Sequence, residues 1–249
     1  MARKIVILMS VILTVSVFAF AQVAVALPNL MIDLSDGSYN YVTESVTTAQ
    51  GDFTVYALLS NPDYVEDTFY LSVAVYPGLE KTATNVLGSF DYSYTSRGTN
   101  YADNIEVPTD MNWGFAPYEG FEEDAKDAGD LSPHSVFPTY FMELEFQFNP
   151  ADTTGEYNTQ DDPGTFGDWA GDSMYYVAFN FTDAYLTDGD LHFDLYNTVV
   201  KNAKDPEDLD RGIFAPFSHD GQTRVPEPGT LVLLGIGMLG IAVYRRKMS

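Results

Sequence analysis

The sequence predicts an all-β fold, a single antiparallel β-sandwich of jelly-roll type, and three observations carry that prediction. Apolar and polar residues alternate with period two in segment after segment of the body. Asp-Gly, Asn-Pro and Pro-Gly turn pairs separate those segments. No long amphipathic helical repeat lies between them. The 17 tyrosines and 17 phenylalanines of the 249-residue chain gather in the alternating runs, where aromatic rings fit a pleated, half-buried surface.

The chain begins with a different kind of segment. Arg3 and Lys4 precede an apolar run from Ile5 to Ala21, and Ala24-Val25-Ala26 supplies a small-x-small cleavage site. This is the order of a secretory signal peptide over 1–26, and it predicts export through the Sec translocon and removal by signal peptidase. Ala19-Phe20-Ala21 is a competing site, so the mature chain starts at Leu27 or Gln22.

The β-sandwich is expected over 27–201. Phe53, Val55, Ala57 and Leu59 share one face of a strand, and Phe69, Leu71, Val73 and Val75 share one face of the next. Tyr140, Met142, Leu144, Phe146 and Phe148 alternate with Phe141, Glu143, Glu145 and Gln147, the cleanest inside/outside pattern present. Tyr175 to Phe181 and Leu191 to Leu195 repeat it, and Leu30–Leu34, Tyr39–Thr43 and Val86–Tyr94 are weaker strands. Turns are expected at Ser35-Asp36-Gly37, Asn61-Pro62-Asp63, Pro77-Gly78, Asp162-Pro163-Gly164 and Asp188-Gly189-Asp190. Glu119–Ala128 reads as a short surface helix or a loop, residues 149–172 as a long loop, and 202–224 as a polar spacer.

Charge and cysteine content narrow the function classes. Residues 27–226 carry 35 acids against seven bases, a net charge of −28, more extreme than the −24 of the whole chain. Such a surface repels phosphate backbones and anionic headgroups, so nucleic acid is not an expected partner. Solubility, Ca²⁺ and cationic polymers remain compatible with it. The chain has no cysteine, which removes thiolate catalysis and Cys-bound metals and leaves an exported domain held by its core alone.

The C-terminus holds the most specific signal. Val225-Pro226-Glu227-Pro228 leads into an uncharged run to Tyr244 and then Arg245-Arg246-Lys247. The prolines cannot continue a helix upstream, so a helix over 229–244 starts at the motif. Counted from Pro228, its 17 residues reach about 26 Å, just short of a bilayer core of about 30 Å. The terminal bases sit on the cytoplasmic side by the positive-inside rule, which places the body outside. Gly235, Gly237 and Gly240 match G-x-G-x-x-G, but no strand precedes them and no acid follows, so a dinucleotide site is rejected in favour of helix packing in the membrane.

Taken together, residues 225–249 resemble the PEP-CTERM sorting signal of Gram-negative bacteria. The resemblance implies recognition by an exosortase, a membrane-embedded cysteine transpeptidase, with cleavage at or near Pro226-Glu227-Pro228. It makes Val225, Pro226, Glu227 and Pro228 the recognition signal and Arg245, Arg246 and Lys247 the retention tail. It also implies a transient stay in the inner membrane, then the cell surface or extracellular matrix, and a link to extracellular polysaccharide and biofilm. Asp52–Leu59, Phe69–Tyr76 and Leu131–Phe141 resemble, more loosely, the uncharacterised choice-of-anchor N family, which has no assigned activity.

The body offers few residues for chemistry. Of His134, His192 and His219, none has another at helical metal-pair spacing; His192 reads as the outward residue of a strand, and His134, in a loop, is the one to weigh as a ligand contact. Asp188, Asp190 and Asp194 are candidate Ca²⁺ ligands, although EF-hand spacing is absent. Trp113 and Trp169, with Tyr118, could stack against sugar rings or simply anchor loops. Glu143 and Glu145 read as solvated outer-face residues and not as a glycosidase pair, and no G-x-S-x-G elbow occurs. The expected function is therefore a non-enzymatic, cofactor-free structural or adhesive role in the extracellular matrix. A carbohydrate-binding or Ca²⁺-dependent lectin-like module is the alternative, and a polymer hydrolase the third reading.

Overall fold

Two β-sheets stacked face to face build the domain. The computed structural model describes residues 29–43, 45–83, 85–116, 137–202, 205–215 and 220–224, with 198–202 and 205–214 described by backbone alone. The predicted signal peptide, the membrane helix 229–244, the Glu119–Ala128 segment, Tyr118, His134 and His219 lie outside the described residues.

The first sheet has the order β1 (Leu30–Leu34), β4 (Gly51–Leu59), β11 (Met174–Leu186), β6 (Gly88–Ser96), β7 (Thr99–Val107). The short β10 (Thr153–Thr154) pairs with β11 at Met174 and Tyr175, ahead of the stretch that β6 occupies. The second sheet runs β2 (Ser38–Asn40), β3 (Ser45–Ala49), β14 (Asp220–Arg224), β12 (Asp190–Asn202), β5 (Phe69–Tyr76), β9 (Phe137–Phe146), β8 (Asn112–Ala116), with β13 (Asp205–Phe214) on the far part of β12. A 3₁₀ turn at Pro62–Tyr64 is capped by the Asn61 side chain, which accepts from the Asp63 N–H.

Period-two alternation decides which residues meet between the sheets. Phe53, Val55, Ala57 and Leu59 from β4 and Val177, Phe179 and Phe181 from β11 face Leu71, Val73 and Val75 of β5 and Leu191, Phe193 and Leu195 of β12, all buried. Phenylalanines link the layers: Phe181, stacked on its sheet neighbour Phe53 at 5.2 Å, meets Phe193 of the other sheet edge-on at 5.2 Å, and Phe179 meets Phe146 edge-on at 5.1 Å. Edge-to-face and offset pairs at these separations are favoured by the ring quadrupole and each add about 1 kcal/mol beyond burial. In a chain without cysteine, these contacts do the work that disulfides do elsewhere.

One expectation is corrected. The 202–224 stretch is not a spacer, because β13 and β14 belong to the second sheet and Asp220 to Thr223 are buried. The all-β sandwich is as expected, and its strands pair antiparallel except that β14 runs parallel to β3, Ser45 opposite Asp220 through Ala49 opposite Arg224. Sequence patterning could not reveal β14, whose Asp-Gly-Gln-Thr-Arg has no apolar residue.

The long 149–172 loop is tied down at one residue. Asp33 faces away from the inter-sheet core on β1 and is fully buried. Its carboxylate accepts hydrogen bonds from the Leu34 N–H (2.9 Å), the Tyr157 hydroxyl (3.0 Å), the Gly164 N–H (2.7 Å) and the Phe166 N–H (3.3 Å). Burial pushes the Asp33 carboxyl above its ordinary range, and the four donors pull against that shift. Around it Met31, Leu58, Tyr157 and Met174 form a second small core, with Phe166 stacked 3.8 Å from Tyr56. Gly164 adopts φ +71° where a Cβ would fall 2.6 Å from the Gly37 carbonyl oxygen, so the loop tip lies directly on the β1–β2 turn.

Asp33→Ala strands three loop donors in a buried site. We expect a loss of roughly 3 kcal/mol in urea unfolding, at up to about 3 kcal/mol per unsatisfied group partly relieved by water entry. Limited proteolysis should then cut within 155–172 first, whereas cleavage elsewhere would contradict the anchoring role.

Candidate functional site

The structure scatters the residues singled out in the sequence. Trp113 on β8 donates its indole N–H to the Leu79 carbonyl at 3.0 Å, and Lys81 lies 5.0 Å over its ring. Trp169 belongs to the loop over the first sheet, where it stacks 6.0 Å from Tyr157 with planes 3° apart and donates to Thr165 Oγ1 at 3.1 Å. The two indoles thus sit on different sheets, each as a local anchor. Asp188 is exposed at its turn, Asp190 accepts from Gln222 Nε2 at 3.3 Å, and Asp194 is fully buried, so the three do not converge. Glu143 accepts from the Tyr196 hydroxyl and is only partly accessible.

What the fold does bring together is His192, Asp194 and Asp220. Strand alternation points His192 and Asp194 away from the Leu191/Phe193/Leu195 core face, and β14, adjacent to β12, adds Asp220 from the neighbouring strand. The sequence suggested an outward His192; it does point outward, yet it is only 5% exposed, and Asp194 and Asp220 are at 0% and 1%. His192 Nε2 lies 3.4 Å from Asp194 Oδ2 and 3.6 Å from Asp220 Oδ2. The rings of Tyr76 and Phe137 flank the imidazole at 6.1 and 6.0 Å. Burial works to lower the His192 pKa, but the two carboxylates outweigh it and push it up to about 9. The His-x-Asp spacing on one strand face was visible in the sequence; its third member was not, because Asp220 fell in the supposed spacer.

A second feature is an open groove of about 440 Å³ at the first sheet, where β6 ends and β10 takes over beside β11. Ser93, Thr95, Asn100, Asp152, Tyr176 and Asn180 line it. Thr95 Oγ1 donates to Asn100 Oδ1 at 2.8 Å and Thr54 Oγ1 to Asn180 Oδ1 at 3.1 Å, which leaves both amide NH₂ groups directed by fixed partners. Half-exposed Tyr101 stacks 4.8 Å from Tyr94 at its margin. None of these residues was singled out from sequence, since Ser, Thr and Asn on outer strand faces are common.

Comparison with known proteins bears on the C-terminus. Residues 224–247 match the PEP-CTERM protein-sorting motif, so the chain carries that signal and is an exosortase-targeted, exported protein with a membrane-anchored C-terminus before processing. No curated protein matches the chain. One solved structure, described as "AvmM Catalyzes Macrocyclization in Alchivemycin A Biosynthesis", is similar at 11% identity over 80% of this chain and 89% of its own, with a TM-score of 0.28. The body's resemblance to the choice-of-anchor N family remains an expectation from sequence.

Proposed function

We propose that the protein is a non-enzymatic structural or adhesive component of the extracellular polysaccharide matrix, exported by the Sec route and released or re-attached at the cell surface by exosortase. One observation supports this above others: the sorting motif starts at residue 224, the last residue of β14. The paired strands of the sandwich thus run up to the first residue of the sorting motif, and the signal follows the folded domain in the chain with no intervening segment. The −28 charge of the body keeps such a domain soluble and dispersed among polymers and discourages contact with anionic membrane. Val225, Pro226, Glu227 and Pro228 serve as the recognition signal and Arg245, Arg246 and Lys247 hold the tail on the cytoplasmic side.

Deletion of Pro226 to Pro228 in the native host is expected to leave the C-terminal segment attached and the protein in the membrane fraction, read by intact mass and fractionation. An unchanged mature mass and location would overturn the sorting role of these residues.

The groove supports a second reading, binding of a neutral sugar chain. Pyranose hydroxyls pair with amides and hydroxyls such as Asn100, Asn180, Ser93 and Thr95, and the Tyr176 ring offers an apolar face. Titration calorimetry of the detergent-purified full-length chain with the host's own exopolysaccharide is the test. Asn180→Ala should weaken binding about 5-fold, the equivalent of one hydrogen bond of about 1 kcal/mol. Absence of heat with the wild-type chain, or an Asn180→Ala variant that binds as tightly, removes this reading and leaves the structural one.

A further inference from the structure

We propose that His192, Asp194 and Asp220 form a binding site for a divalent transition-metal ion of the zinc or manganese class, which clasps the final strand β14 to β12.

The buried cluster is poorly explained without an ion. Both ring nitrogens of His192 and both carboxylate oxygens of Asp194 are buried and have no hydrogen-bond partner. Polar atoms left so in a protein interior are rare and costly. The contacts of 3.4 and 3.6 Å from Nε2 are too long for charge-assisted N–H···O⁻ bonds, which fall at about 2.7–2.9 Å. They do match the separation between ligands of one metal: donors about 2.1 Å from a tetrahedral ion lie about 3.4 Å from each other. One donor atom from each of the three residues lies within 4.8 Å of the other two.

The donor set selects the ion. One imidazole nitrogen with two carboxylates suits zinc, manganese or iron, whereas calcium and magnesium take oxygen donors and calcium wants six to eight of them. Two carboxylates match the charge of a divalent ion. The calcium chemistry suggested by the Asp188-Gly189-Asp190 turn therefore gives way to different chemistry at Asp194. The flanking Tyr76 and Phe137 rings supply an apolar shell that excludes competing solvent.

The position gives the ion a structural task. β12 and β14 share only the register pairs His192–Gln222 and Phe193–Gly221, a short seam. A metal bridging Asp220 to His192 and Asp194 ties that seam across strands, four residues ahead of the sorting motif at 224.

The experiment uses the full-length protein purified in detergent, stripped with EDTA and then titrated with Zn²⁺, Co²⁺ or Ca²⁺. One Co²⁺ per chain should bind with visible d–d absorption, Zn²⁺ should displace it, and Zn²⁺ should raise the melting temperature where the same concentration of Ca²⁺ does not. Asp220→Asn should abolish the Co²⁺ absorption, while the exposed-turn variant Asp188→Asn should keep it. A stripped wild-type chain that shows neither Co²⁺ absorption nor a Zn²⁺-dependent melting shift overturns the proposal without reference to any variant. So does an Asp220→Asn variant with undiminished absorption, or a Ca²⁺ shift equal to that of Zn²⁺.

Discussion

The second sheet closes through β14, and the integrity of the domain depends on that seat. β14 lies between β3 and β12, so among the described strands the β2–β3 hairpin joins the rest of its sheet through β14. Its five residues have no apolar side chain to drive burial, and they are held by backbone pairing and by specific polar contacts. The Thr223 hydroxyl accepts from the Leu191 N–H at 2.8 Å, and the Gln50 N–H donates to the Arg224 carbonyl at 3.2 Å. A Cβ at Gly221 would fall 3.0 Å from Ile32 Cγ2 and 3.4 Å from Leu34 Cδ1 of the opposite sheet, a tight approach that lets the strand sit low against the core. A strand so polar can occupy an interior position only because each neighbour supplies hydrogen bonds in place of hydrophobic burial.

Elsewhere the burden falls on aromatic packing and on one carboxylate. The phenylalanines between the sheets need no partner beyond each other, so they tolerate the absence of disulfides in an exported domain. Asp33 works differently: it converts a polar loop into a cover over the outer face of β1, β4 and β11. The two devices meet on β1, whose Leu30, Ile32 and Leu34 enter the main core while Met31 and Asp33 serve the satellite one. A strand buried on both faces is thus built from five consecutive buried residues.

How much of this the sequence showed follows from where periodicity carries information. β5 and β1 occur at the residues that alternation indicates, Phe69–Tyr76 and Leu30–Leu34, because one apolar face packs on the core. β7 was hidden: Thr99 to Asn104 are exposed on an edge strand, and only Ile105 and Val107 reach the core. β3, Ser-Val-Thr-Thr-Ala, is buried largely through threonines that bond to backbone, Thr47 to the Ser38 carbonyl and Thr48 to that of Ser35. The sorting motif was legible in full, since its punctuation, apolar run and basic tail are local. The His192–Asp194–Asp220 cluster was legible only in its i, i+2 half. Its third member arrives through the antiparallel β12–β14 pairing between distant parts of the chain, which no local pattern encodes.

The placement of β14 also constrains how export and folding can be ordered. Ser45 pairs with Asp220, so β14 must find a partner far earlier in the chain. Such non-local pairing is slow, because loop closure precedes any compensating contact. β14 immediately precedes the sorting segment in the chain, and the second sheet cannot close before β14 is in place. A C-terminal segment that pauses in the membrane keeps the chain tethered through that interval. The matched motif begins at Arg224, the last residue of β14 paired with β3, so processing anywhere beyond that residue leaves the paired strand intact. A cut ahead of Asp220 would take Asp220 to Arg224 with it and free the β2–β3 hairpin. The location of the signal relative to the final strand is therefore as much a part of the protein's design as the signal itself.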